Sequence, residues 1–129
     1  MFIVSCFVSL LSCSKEDNKT YAELIIGKWD IVNQIYTDNS SGQSDTLTFD
    51  ALSTIDFASN GAVVIRIDDD ENGSIESSEI QTSTYLLENS KLTFGSEDSV
   101  IYTIKTLTNL NFSFQTDMDG YEVTVNLKK

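Results

Sequence analysis

From Gly27 onward, apolar and polar residues alternate with period two, the spacing that sends successive side chains to opposite faces of a strand. Trp29, Ile31 and Ile35 share one face, with Asp30 and Gln34 on the other. Thr37–Ser44, rich in Asn, Ser and Gly, reads as a polar loop. Ile55 and Phe57 alternate with Thr54 and Asp56. Ser59-Asn60-Gly61 then supplies the Asn-Gly pair that a type I′ hairpin favours, because both central residues of that turn need positive φ. Val63, Ile65 and Ile67 continue the alternation against Val64 and Arg66. The same pattern recurs at Tyr85 and Leu87, at Leu92 and Phe94, and at Val100, Tyr102 and Ile104. It recurs again at Leu110, Phe112 and Phe114, and last at Tyr121, Val123, Val125 and Leu127. Turns at Glu88–Ser90, Gly95–Asp98 and Asp117–Gly120 separate these runs, and Tyr21–Ile26 has room only for a helical turn.

The pattern predicts about eight strands at spacings of roughly 8–12 residues and no long helix. The expected fold class is all-β, an antiparallel up-and-down β-barrel, since closure leaves no unpaired edge; a sandwich is the alternative. The expected inward set is Trp29, Ile31, Ile55, Phe57, Val63, Ile65, Tyr85, Leu87, Leu92, Phe94, Tyr102, Phe112, Phe114, Val123 and Val125. A barrel of eight strands is wide enough either to be filled by such side chains or to hold one small ligand.

Composition narrows the function. The chain has 129 residues and a formal net charge of −12, which excludes nucleic-acid binding through clustered Lys and Arg and docking on anionic lipid through a basic face. It contains no His, hence neither the commonest general base nor the commonest transition-metal ligand. Its two Cys both lie within the first thirteen residues, so the folded part can build neither a disulfide nor a thiolate metal site.

Met1–Ser12 (MFIVSCFVSLLS) is a short apolar run ending in small residues, too short to span a bilayer as a helix. It reads as the apolar part of an export signal, with a buried N-terminal strand as the alternative; no Lys or Arg precedes it. Leu10-Leu11-Ser12-Cys13 resembles a bacterial lipobox. That resemblance implies a signal peptide over 1–12, a diacylglycerol and further acyl chain on Cys13, and a tether over 13–20. The polar residues Ser14–Asn18 suit a tether, and Lys followed by acids resembles the export tag of Bacteroidetes surface lipoproteins. Residues 21–129 would then form one domain, held by its acyl anchor on the outer face of the outer membrane.

Gly27-Lys28-Trp29, opening the first strand after a short turn, resembles the Gly-x-Trp of lipocalins. The layout as a whole is similar to the compact lipocalin-like lipoprotein domains of Bacteroidetes, on the pieces Leu24–Trp29, Phe57–Gly61 and Tyr102–Ile104. In that family the Trp closes the barrel beneath a ligand cavity. The resemblance therefore implies a cavity for a small apolar ligand, with Trp29, Ile31, Phe57, Tyr85, Phe94, Tyr102, Phe112 and Phe114 as its candidate lining. The Arg that covers the Trp from a late strand in lipocalins has no clear counterpart here.

Six of the twenty acids fall within Asp68–Glu79 (DDDENGSIESSE), which matches the twelve-residue EF-hand calcium loop at every defined position. Asp68, Asp70 and Asn72 take places one, three and five, and Gly73 the sharp turn at six. Ser74 would offer its carbonyl, Glu76 would bind directly or through water, and Glu79 would bind bidentately. Calcium wants six to eight oxygens, and an ion would relieve the repulsion among the carboxylates. The flanks, however, read as strands rather than helices, so two versions stand: the full loop, or only the Asp-x-Asp-x-Asn-Gly turn. A solvated acidic hairpin tip is the alternative to both.

No Ser lies in a nucleophile elbow and no Gly-rich phosphate loop is present, so no enzymatic activity and no organic cofactor are expected. Two functions remain. One is an anchored binding module for a small apolar ligand with a calcium loop; the other is a structural or interaction barrel with a filled core, accessory to a surface complex whose protein partner the sequence does not name.

Overall fold

The structure, a computed structural model, describes residues 20–95 and 100–129. The expected export signal, Cys13, the expected tether before Thr20, and the segment 96–99 of the expected Gly95–Asp98 turn lie outside the described residues. Among the described residues no helix is long and apolar enough to cross a membrane.

The chain enters through one helical turn, α1 (Tyr21–Leu24), held at its start by reciprocal bonds between Thr20 and Glu23. Among the described residues nine strands follow: β1 (Gly27–Asp38), β2 (Ser44–Thr48), β3 (Thr54–Phe57), β4 (Ala62–Arg66), β5 (Ile80–Glu88), β6 (Lys91–Phe94), β7 (Val100–Leu107), β8 (Asn111–Met118) and β9 (Tyr121–Lys128). Each pairs antiparallel with its neighbour, and β1 also pairs with β9, which closes the sheet. β2 and β3 share one edge of β1: Ser44–Thr48 runs along Asn33–Thr37, and Thr54–Phe57 along Gly27–Asp30. Together they act as one interrupted strand, so the ring has eight positions and the fold is a closed, lipocalin-like barrel.

Two details of β1 depart from the sequence pattern. Part of the expected polar loop Thr37–Ser44 is strand: β1 runs to Asp38, and Ser44 opens β2 opposite Thr37. The register against β9 also shifts between Ile31 and Asn33. An extra residue at a bulge reverses the alternation beyond it. Gln34 now stands opposite Val125, and Tyr36 opposite Val123, both of which are buried. Gln34 therefore faces inward and Ile35 does not, the reverse of the expected placement. A second shift, between Ile104 and Thr106, lets Ile104 and Leu107 both turn inward. Leu110 does not begin a strand; it stands 65% exposed before β8.

The fifteen expected inward residues all belong to the interior. Ten are buried, and Ile65, Tyr85, Leu87, Phe94 and Tyr102 are half-buried against them. Ile25, Ile104, Leu107 and Leu127 complete the buried set. The rings form a chain that runs from the end where β1 begins up to the interior of the other half. Trp29 meets Phe112 at 5.3 Å, Phe112 meets Phe114 at 5.1 Å, and Tyr102 meets Phe114 at 4.9 Å, all edge-on or tilted, as ring quadrupoles prefer.

Candidate functional site

The two ends of the barrel are built differently. At the end where β1 begins, Trp29 is fully buried and its indole N–H donates to the Ile25 carbonyl (2.9 Å). Lys129, just beyond β9, lays its ammonium 4.7 Å from the centre of the Trp29 ring and donates to the Ile26 carbonyl (3.0 Å). A cation thus covers the Trp from the last strand, but it is a Lys and comes from the final residue. Gly27 makes this arrangement possible: its φ is +118°, and a Cβ there would stand 2.5 Å from the Lys129 ammonium. Phe57 and Phe112 complete the plug with Trp29, and Tyr85 packs edge-on against Phe57 (5.0 Å) while donating to the Ala58 carbonyl (2.6 Å).

Toward the other end the barrel opens into a cavity of about 290 Å³. Its walls are mainly apolar, from Ile31, Ile55, Ile65, Phe94, Tyr102 and Phe114, with a substantial polar share that includes the amides of Gln34 and, at the exposed edge, Gln81. Of the eight candidate lining residues, Ile31, Phe94, Tyr102 and Phe114 lie on this cavity, whereas Trp29, Phe57 and Phe112 lie beneath it and Tyr85 beside Phe57. Sequence reasoning did not find Gln34, Gln81, Ile67 and Val100. The first was hidden by the bulge, since no residue type in β1 marks where the alternation breaks. Burial raises the pKa of the Tyr102 phenol, and Tyr36 nearby adds to the shift.

The acidic loop joins β4 to β5 at this open end, and the residues flanking it, Ile67 and Gln81, are themselves cavity wall. The loop closes on itself. Asp68 Oδ2 accepts from the Gly73 N–H (3.0 Å) and Oδ1 from the Asn72 N–H (3.3 Å). Gly73 has φ +84°, and the preceding left-handed residue is Glu71 at +53°. A 3₁₀ turn at Ser77–Glu79 folds Glu79 back, so that its carboxylate accepts from the Glu76 N–H (3.0 Å) and the Asp69 N–H (2.6 Å). Asn72 bonds through its amide to Asp70 and Glu76, and the Ser74 hydroxyl reaches Asn72 and Glu76. One oxygen from each of Asp68, Asp70, Glu76 and Glu79 lies within 4.8 Å of the others. Asp68 and Glu79 are buried by surface area, and the Asp68 N–H is tied to the Ser53 hydroxyl (3.2 Å).

Such crowding splits the carboxyls. Burial raises the Asp68 pKa, but hydrogen bonding with Asp50, the Gly73 N–H and Asp70 outweighs it, and the net shift is down. Asp70 moves up, through burial and its shared hydrogen bond with Asp68. Glu76 moves down, through hydrogen bonding with Glu79 and Asn72, and Glu79 moves up, through its contact with Glu76 and through burial. In each of the two close pairs one carboxyl thus moves up and the other down, as like charges brought close together do.

An eight-position closed barrel with Gly-x-Trp at its closed end defines a class, and comparison with known proteins agrees. The profile of the lipocalin-like domain family matches residues 25–114, and the chain belongs to that family. A solved structure, a lipocalin-like protein from Bacteroides uniformis, is similar in fold, with a TM-score of 0.57 over 81% of this chain and 97% of that one at 12% identity. No curated protein matches the chain.

Proposed function

We propose that this protein is an extracytoplasmic binding module, anchored by an acylated Cys13 in the outer membrane, that takes a small apolar ligand into the open end of its barrel. Its role is binding rather than catalysis. The observation that carries the reading is the apolar cavity of about 290 Å³ above an aromatic plug. That volume has room for on the order of ten water-sized groups, near the lower limit of small-molecule sites. Gln34 and Gln81 supply the few polar groups that orient a ligand in such sites. The test is mass spectrometry of small molecules that co-purify with the protein, followed by displacement of an apolar fluorescent probe with whatever is identified. A chain that carries nothing and takes up no probe would defeat the proposal.

Calcium is the proposed ion for the loop at the mouth. In support, Asp68, Asp70, Glu76 and Glu79 converge, with Asn72 and Ser74 hydrogen-bonded into the same cluster. The Asp68–Gly73 bond is the turn that wraps an ion in such loops, and the fold-back of Glu79 favours the full twelve-residue version. The second reading, an interaction barrel that holds no ligand, is favoured by the rings of Trp29, Phe57 and Phe112, which fill the closed half. Its surface partner would be bound by the loops.

A further inference from the structure

We infer that the cavity selects its ligand by the charge of the head group: it takes an amphiphile of about ten non-hydrogen atoms with a neutral or cationic head, and it rejects carboxylates. This rests on the reading of the cavity as a ligand site.

Charge is distributed unequally along the barrel. Among the described residues the cavity is lined by no charged side chain. Strand direction places Lys28, Lys91, Lys128 and Lys129 at the closed end, and Lys105 on the half of β7 nearer to it. Arg66 is the one cation among the described residues at the mouth. Its neighbours Ile65 and Ile67 face the cavity, so alternation puts Arg66 on the outer surface. The same end carries the six acids of Asp68–Glu79, and Asp38, Asp117 and Asp119 at its other hairpins. A head group at the mouth therefore meets a field of negative sign.

The polar groups inside are suited to a neutral head. The Tyr36 hydroxyl donates to Gln34 Oε1 (2.8 Å), which leaves the amide NH₂ of Gln34 as its donor end. Such a donor serves a hydroxyl, a carbonyl or a carboxylate equally well. Charge decides among them. A carboxylate drawn into this cavity loses its hydration, finds no cation among the described lining residues, and lies under an acidic rim. An ammonium at the rim gains from the same field, and an alcohol is indifferent to it.

Octan-1-ol, octylammonium and octanoate test this directly, since they share one chain and differ in head group. Calorimetry with the full chain in calcium-free, low-salt buffer should show octanol and octylammonium binding, with octanoate weaker by at least roughly tenfold. The octanoate deficit should shrink as salt screens the rim. Gln81→Lys, which places a cation at the exposed edge of the cavity wall, should raise the affinity for octanoate relative to octanol by about tenfold. Octanoate binding the native chain as well as octanol does would overturn the selection while leaving the cavity reading intact. If none of the three binds, the cavity reading falls and the selection falls with it.

Discussion

Gly27, Trp29 and Lys129 form a unit in which each residue has a stated reason. The indole N–H must be satisfied once buried, and the Ile25 carbonyl does this. The ring face is covered by the Lys129 ammonium, and that ammonium occupies space only a glycine leaves. Gly27→Ala should therefore lower stability by about 1–3 kcal/mol, chiefly from the positive φ, since the Lys129 ammonium is the movable end of a flexible side chain. Lys129→Met, which keeps the stem and removes the charge, should cost about 0.5–1 kcal/mol. Urea melts of both variants would measure this, and a Gly27→Ala protein as stable as the native chain would contradict the packing described. The Gly and Trp stand out in the sequence as a spaced pair. The Lys does not, because its partner lies about a hundred positions away.

Strand alternation makes sharper claims at the level of elements. Phe112 is buried between Trp29 and Phe114, whereas Asn111, its neighbour on β8, is exposed. Phe112→Asp should unfold the barrel, since loss of the ring alone costs about 3–5 kcal/mol and an unpaired buried charge adds to it. Asn111→Asp should shift the melting temperature little. Circular dichroism melts of the pair decide the matter, and equal losses would mean that the strand is turned the other way. The alternation was legible wherever pairing is regular, from β3 to β6 and along β8. It failed in β1 beyond the register shift, and in β7 it held for Val100, Tyr102 and Ile104 but did not reach Leu107 past the second shift, because a bulge is set by how neighbouring strands meet.

For the whole molecule, the predictions concern the ion and the anchor. Calcium that binds only the folded chain should raise its melting temperature as the ion is added, with a dissociation constant of about 10⁻⁴–10⁻³ M. Asp68→Ala and Asp70→Ala should each remove most of that shift. Glu79→Gln should weaken binding strongly if the full loop forms and hardly at all if only the turn does. Calorimetric silence together with an unmoved melt at several times that concentration would leave an acidic hairpin tip. Without calcium, added salt should stabilise the chain, because screening softens the repulsion among carboxyls that lie within 4.8 Å of one another. For the anchor, Cys13→Ala should abolish fatty-acid labelling and release the protein from the membrane fraction, while Cys6→Ala should do neither. Labelling that survives the loss of Cys13 would refute acylation at that residue.

The sequence by itself determined the class of fold, most of the core and the composition of the acidic loop. These are local properties: period two marks which side chains share a face, Asn-Gly marks a turn, and a spacing of oxygen-bearing residues marks a loop able to wrap an ion. Only the tertiary structure decided that β2 and β3 serve as one interrupted strand, that Gln34 rather than Ile35 faces the cavity, and that Lys129 covers Trp29. It also decided that the acidic loop borders the cavity through Ile67 and Gln81. Closure of the barrel joins β1 to β9, and the register at that seam sets which residues meet inside. No window of sequence contains both strands.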